Sequence, residues 1–263
     1  MLSQRVLTAF IGIPAILFIF YTGNMLLLAG IYFLIIIAVA EFLNIVHKAG
    51  YRGLALPLWT GAIIFPFILQ YNNNMAGFTV FLIILFSAIY FLSGYPRYSP
   101  LDLGWTLLGF FYVVIGFSHF LILRSQENGF WLVLYVFIIV WITDTGAYFT
   151  GTCLGKHKLA PNISPKKTWE GFLGGLIFSF LAVYVFTLLA PLPQTITFLY
   201  LAPAISVAAQ AGDLFESSLK RFADVKDSGH LIPGHGGFLD RFDSALWAFP
   251  FTCQLLALLE RLY

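Results

Sequence analysis

Apolar runs of about 20 residues recur from one end of this chain to the other. That is the length a helix needs to cross roughly 30 Å of hydrocarbon. This repetition limits the fold more than any motif does, because in lipid every backbone N–H and C=O must be satisfied inside a helix or a closed barrel. A transmembrane barrel would need alternating segments of about ten residues, and the sequence has none. The chain is 60% hydrophobic and 10% charged, against roughly 25% charged for an ordinary soluble domain. The expectation is an all-α polytopic integral membrane protein embedded in a lipid bilayer. A net charge of +2 is too small to argue for nucleic acid. Cys153 and Cys253 are too few for a disulfide framework or a thiolate metal cage. The first apolar segment follows MLSQR without a small-residue cleavage site leading into a soluble domain, so it reads as a span.

Hydropathy predicts nine spans, at about 4–22, 25–46, 54–71, 76–94, 104–123, 129–151, 170–190, 195–216 and 241–262. Cytoplasmic loops carry the excess of Lys and Arg. With the N-terminus inside, the inner segments hold Arg5, Lys48, Arg52, Arg97, Lys156, Lys158, Lys166, Lys167, Lys220, Arg221, Lys226 and Arg241, and only Arg124 and Arg261 fall outside. The sequence therefore predicts a cytoplasmic N-terminus and a C-terminus on the opposite side. Both long polar loops, 152–169 and 217–240, then share the cytoplasmic face. Two regions follow. Residues 1–128 form a scaffold whose Phe- and Leu-rich faces serve lipid contact, helix packing or a homodimer interface. Residues 129–263 carry the chemistry. Glu41 reads as a snorkelling or helix-pairing acid, and His119 as a packing histidine.

The chemistry-bearing stretch is 213–243, where Asp213, Glu216, Asp224, Asp227, Asp240 and Asp243 gather in a chain that elsewhere avoids charge. Asp144 lies about 15 residues, roughly 22 Å, into its span, and Asp213 lies similarly deep. An aspartate there costs at least about 2.5–3.5 kcal/mol on insertion scales, so it faces a wet cavity or a partner. Asp240 and Asp243 are three apart and would share a face of the last span. Carboxylates without a His/Cys cluster suit Mg²⁺ or Mn²⁺; capping and dipole complementation are the structural alternative. Glu216, Asp224 and Asp227 read as solvated loop charge. Ser164-Pro165 reads as a helix N-cap with proline at the first position. That puts Lys166 and Lys167 in a first turn, where free N–H groups already favour an anion. Lys220, Arg221 and Lys226 extend the positive set. Gly234, Gly236 and Gly237, around His235, can turn tightly and offer N–H groups to phosphate.

These residues resemble a known family. The run Ser217-x-Leu219-Lys220-Arg221, then Lys226-Asp227-x-Gly229, then Ile232-Pro233-Gly234-His235-Gly236-Gly237-Phe238-x-Asp240-Arg241-Phe242-Asp243 looks like the signature of phosphatidate cytidylyltransferases. Asp144-Thr145-Gly146-Ala147-Tyr148 and Ser164-Pro165-Lys166-Lys167-Thr168-Trp169-Glu170-Gly171 look like further family segments. The resemblance is strong over about 140–245 and compositional before that. It implies transfer of a cytidylyl group from CTP to phosphatidic acid, giving CDP-diacylglycerol and pyrophosphate, with Mg²⁺ required. It also implies that Asp213, Asp240 and Asp243 hold metal, with Asp144 a lesser candidate. The bases, among them Arg241, would share the phosphates, and His235 would donate to the leaving pyrophosphate. Short loops and the lack of an organellar presequence point to a bacterial plasma (inner) membrane.

Two other readings compete. A CDP-alcohol phosphotransferase would need an Asp-x-x-Asp-Gly-x-x-Ala-Arg run, which the sequence lacks. A transporter would use Asp144 and Asp213 as coupling sites, but no inverted repeat accompanies them and the charge collects at one face.

Overall fold

The computed structural model describes residues 14, 18–190, 195–229 and 236–262. It is helical throughout except for one two-stranded hairpin, the architecture of an all-α polytopic membrane protein. Among the described residues six helical stretches are long and apolar enough to cross a membrane: Asn24–Lys48, Asn73–Ser93, Pro100–Ser125, Gly129–Leu154, Trp169–Leu189 and Ile196–Phe222. Ala55–Tyr71 and Ala245–Leu259 are shorter apolar helices. Eight of the nine predicted spans thus meet a helix, and the predicted span at 4–22 falls mainly outside the described residues.

The chain divides into two compact units, Met1–Ile122 with Leu219–Arg241, and Leu123–Ser218 with Phe242–Tyr263. The first holds α1 (Asn24–Lys48), α2 (Ala55–Tyr71), α3 (Ala76–Ser93) and α4 (Pro100–Gly109), which runs through a π-turn at Phe110–Ile115 into α5 (Gly116–Ser125). Its core is built from Ile35, Val39 and Phe42 of α1, Leu58 of α2, and Phe110, Val113 and Phe117, all essentially unexposed. Gly109 and Gly61 permit the close packing, since a Cβ would meet the Phe42 ring at 2.6 Å and the Phe110 ring at 2.7 Å. Asp102 caps α4 through Ser99. It also accepts the Arg52 N–H at 2.7 Å and the Gly53 N–H at 3.2 Å, tying the α1–α2 turn to α4. His119 is buried, with Nδ1 2.7 Å from the Ile115 carbonyl, as a packing histidine should be.

The second unit holds α6 (Gly129–Leu154), the strands β1 (Lys158–Ala160) and β2 (Ser164–Thr168), α7 (Trp169–Leu189), most of α8 (Thr195–Phe222) and α9 (Ala245–Leu262). Small residues bring α6 and α7 together. A Cβ on Gly146 would lie 2.6 Å from Phe178, and one on Gly171 would lie 2.8 Å from the Ala147 carbonyl. In lipid, where apolar burial drives little helix association, such close approach is the main source of packing energy. Hydroxyls add to it: Thr143 meets Ser206 at 2.7 Å and Tyr135 donates to the Phe198 carbonyl at 2.6 Å, joining α6 to α8.

Four local expectations change. Ser164 is not an N-cap: β2 pairs antiparallel with β1, Lys158 opposite Thr168 and Ala160 opposite Ser164, so Ser164-Pro165-Lys166-Lys167 is extended and the helix begins four residues later than expected. Its cap is Thr168, whose hydroxyl accepts the Gly171 N–H at 3.1 Å. Asp240 and Asp243 do not share a face of the last helix. Asp240 sits in a 3₁₀ turn (Leu239–Arg241) and Asp243 in the turn before Ala245. Glu216 is not solvated; it is fully buried within α8, which continues six residues past the predicted end. Glu41 does not snorkel: it is 4% exposed.

Candidate active site

In the second unit, α6, β2, α7 and α8 enclose a cavity of about 300 Å³. Asp144 and Tyr148 enter it from α6, Lys166 and Lys167 from β2, Phe172 from α7, and Gln210 and Asp213 from α8. The hairpin explains why two lysines arrive together: a strand returning toward α7 carries 166 and 167 past the end of α6. Lys167 Nζ lies 2.6 Å from Asp213 Oδ2, both side chains roughly a quarter to a third exposed. The charges of Asp213, Asp243 and Lys167 all act on Asp144. Gly212 lets the chain before α9 approach, since a Cβ there would be 2.6 Å from the Asp243 carbonyl. Ser217 donates to Asp213 Oδ1 at 3.4 Å. Gln210 donates to the Phe172 carbonyl at 3.3 Å, fixing the α7–α8 wall. Ser164 lies on β2 but does not line the cavity.

The first unit holds the rest of the predicted set. Lys220, at the end of α8, pairs with Asp240. Asp240 Oδ2 also accepts the Ser228 N–H at 3.0 Å and the Gly237 N–H at 2.8 Å, and Ser228 Oγ lies 3.1 Å from it. Burial pushes the Asp240 carboxyl up, but the Lys220 ammonium and the two N–H donors outweigh it and hold it below the usual carboxylate range. Gly236, at φ +81°, takes a left-handed turn that any side chain would strain. Arg221 donates to the Val225 carbonyl at 3.4 Å, and Lys226 and Arg241 are exposed. Gly234 and His235 lie outside the described residues.

The donor chemistry suits a hard divalent cation, because Asp144, Asp213 and Asp243 supply only carboxylate oxygen. Among the described residues, however, no three His, Cys, Asp or Glu side chains converge on one point. Lys167 holds the compensating positive charge on Asp213. Asp240 Oδ2 is occupied by the Ser228 and Gly237 N–H groups, and its Oδ1 already faces Lys220. The residue types fit a metal; their side chains are arranged here around lysines.

Sequence reasoning gave no role to Thr168, Glu170, Gln210 or Ser228, and read Glu41 as a snorkelling or helix-pairing acid where it is buried against a loop. Glu170 gathers the Lys156 and His157 N–H groups at 3.1 and 3.2 Å and His157 Nδ1 at 2.6 Å, which closes the hairpin onto α7. Its position in a first helical turn was the available signal, hidden because the helix start was placed too early.

A polytopic helical body with acids and lysines gathered at one cavity defines the class of a membrane protein with a site for charged groups. A profile of the cytidylyltransferase family matches residues 3–259, and the chain belongs to that family. It is similar to the phosphatidate cytidylyltransferase of Bacillus subtilis, 38% identical with 98% of each chain covered. It is also similar to those of Staphylococcus haemolyticus (40% identical, 97% of this chain and 99% of the relative) and Staphylococcus aureus (38%, 97% and 99%).

Proposed function

We propose that this chain transfers a cytidylyl group from CTP to phosphatidic acid, releasing pyrophosphate and leaving CDP-diacylglycerol. The near-full-length match to relatives named phosphatidate cytidylyltransferase carries the reading, and the acid–lysine cavity supports it. A phosphatidate oxygen attacks the α-phosphorus of CTP as the bond to the pyrophosphate oxygen breaks. The nucleophile is already largely ionised near neutral pH, since the second pKa of a phosphomonoester is about 6. No general base is required, so catalysis is positioning and charge neutralisation.

Lys167 and Lys166 meet phosphate oxygens in the cavity, and Asp213 aims Lys167. Lys220, Arg221, Lys226 and Arg241 share the remaining anionic charge. Gly234 and Gly236 offer their N–H groups to phosphate while Gly237 gives its own to Asp240, Ser164 contributes its hydroxyl, and His235 protonates the departing pyrophosphate. Asp213 and Asp243 would be ligands for Mg²⁺ or Mn²⁺, as would Asp240, with Asp144 a lesser candidate. When bound, the cation supplies neutralisation of the triphosphate. The same reading puts the N-terminus and the site on the cytoplasmic side of a bacterial plasma membrane, the C-terminus on the opposite side, and a dimer interface on the N-terminal helices.

The deciding experiment is pyrophosphate release from CTP on adding phosphatidic acid in detergent. Wild-type protein should show it, should lose it in EDTA, and should regain it with Mg²⁺. Asp213→Asn should abolish it while the protein still inserts and purifies normally. A wild-type protein that forms no CDP-lipid overturns the reading, and full activity after EDTA removes the metal.

A further inference from the structure

Glu41 is a buried acid that the reaction above does not use. It sits on α1 between fully buried Val39 and Phe42, itself 4% exposed. A carboxylate in such a place must find donors, and Glu41 finds them in one distant loop. Its Oε1 accepts the Phe238 N–H at 2.9 Å. Its Oε2 accepts the Leu239 N–H at 2.7 Å and the Ser228 hydroxyl at 2.9 Å. Ser228 Oγ is also 3.1 Å from Asp240 Oδ2, so one hydroxyl stands between two carboxylates. The backbone passes so close that glycine is required at 229 and 237. A Cβ on Gly229 would collide with Glu41 Oε1, and one on Gly237 with Ser228 Oγ.

We propose that Glu41 is a positioning residue for cytidylyl transfer, clamping the loop through Ser228, Phe238 and Leu239. In that shape the Ser228 and Gly237 N–H groups saturate Asp240 Oδ2, and Oδ1 stays with Lys220. The inference rests on the roles given to Asp240 and Lys220 under Proposed function. A carboxylate is needed because donors approach both oxygens. Glutamine has the same shape but turns an N–H₂ toward one of them, setting donor against donor.

The test uses the full chain in detergent, comparing wild type, Glu41→Gln, Ser228→Ala and their combination. CTP and phosphatidate are titrated separately, and hydrogen exchange follows the 223–241 peptide. Glu41→Gln should lower kcat roughly 10–100-fold, the range for residues that support a reacting group through another side chain. Both KM values and exchange in α1–α5 should stay near wild type, while protection is lost in 223–241 alone. The combination should be no worse than Glu41→Gln, because both changes break one network. A Glu41→Gln protein with wild-type kcat overturns the proposal. So does multiplicative loss in the combination, or loss of protection across α1–α5 in every variant that loses activity. Should Glu41→Gln fail to fold, Gly229→Ala crowds the same carboxylate from the loop side. It should reproduce the kcat loss with α1–α5 protected, and full activity there overturns the proposal. Failure of the transfer reading looks different, because wild type itself would then release no pyrophosphate.

Discussion

Lys167 and Asp213 meet at 2.6 Å at the wall of a cavity of about 300 Å³. Being partly exposed, the pair adds little to folding; its value lies in aiming an ammonium group. Lys167→Met should therefore lower kcat/KM for CTP by about 100-fold or more, on the scale of one lost transition-state donor. Lys167→Arg should recover part of it, and the melting temperature in detergent should barely move. Steady-state kinetics on the two variants checks this. Asp240 makes the pH prediction. Its carboxyl is held below its ordinary range by Lys220 and by N–H donors, so ionised Asp240 favours the folded loop. That contribution is complete above the unfolded value of about 3.9 and is lost as pH falls through the lower folded value. Protection of 223–241, taken relative to the intrinsic exchange rate at each pH, should be flat from pH 7 to 5 and should fall below about 4. Asp240→Asn should remove that acid limb.

At the scale of elements, the β1–β2 hairpin and the start of α7 decide where two lysines stand. Thr168 is the hinge of this arrangement, 5% exposed, capping α7 and packed against Gly151 and Gly155. Thr168→Ala should cost about 1 kcal/mol, the usual worth of a lost N-cap, read as reduced thermal stability in detergent. It should also reduce activity, because the cap fixes the end of β2 one residue after Lys167. Thr168→Ser should keep both. Full activity and stability in Thr168→Ala would remove the cap from this role. The hairpin was not legible in the sequence. Ser-Pro followed by a helix-forming run is a common start signal, and nothing local says that Lys158–Ala160 will pair with Ser164–Thr168. The π-turn at Phe110–Ile115 was equally silent in the sequence.

For the whole molecule, the charge distribution predicts sidedness. Twelve of the fourteen Lys and Arg residues fall on inner segments if the N-terminus is cytoplasmic. Single cysteines at 97 and 226, in a background with Cys153 and Cys253 replaced, should react with a membrane-impermeant maleimide only after the cytoplasmic face is opened. A cysteine at 124 should react from outside in intact cells. The reverse pattern would invert the topology. The two compact units add what charge counting does not say: residues 219–241 belong with the first helices, not only with the C-terminal region that supplies their neighbours in sequence. Glu41 binds that loop from almost two hundred residues away, and the Phe222 ring packs against Tyr51 and Trp105.

By itself the sequence determined the solvent this protein lives in, the approximate position of most of its helices, and its family. Those follow from local quantities: apolar run length, the depth of an aspartate within a run, and a signature at fixed spacing. The tertiary structure alone decided which charges are partners. Lys167 met Asp213, Lys220 met Asp240, and Glu41 took the loop that carries Asp240. Each pairing joins residues from different elements, so its energy depends on distances that no local pattern contains. An acid on an apolar helix announces that it needs a donor; only the packed chain supplies the donor's name.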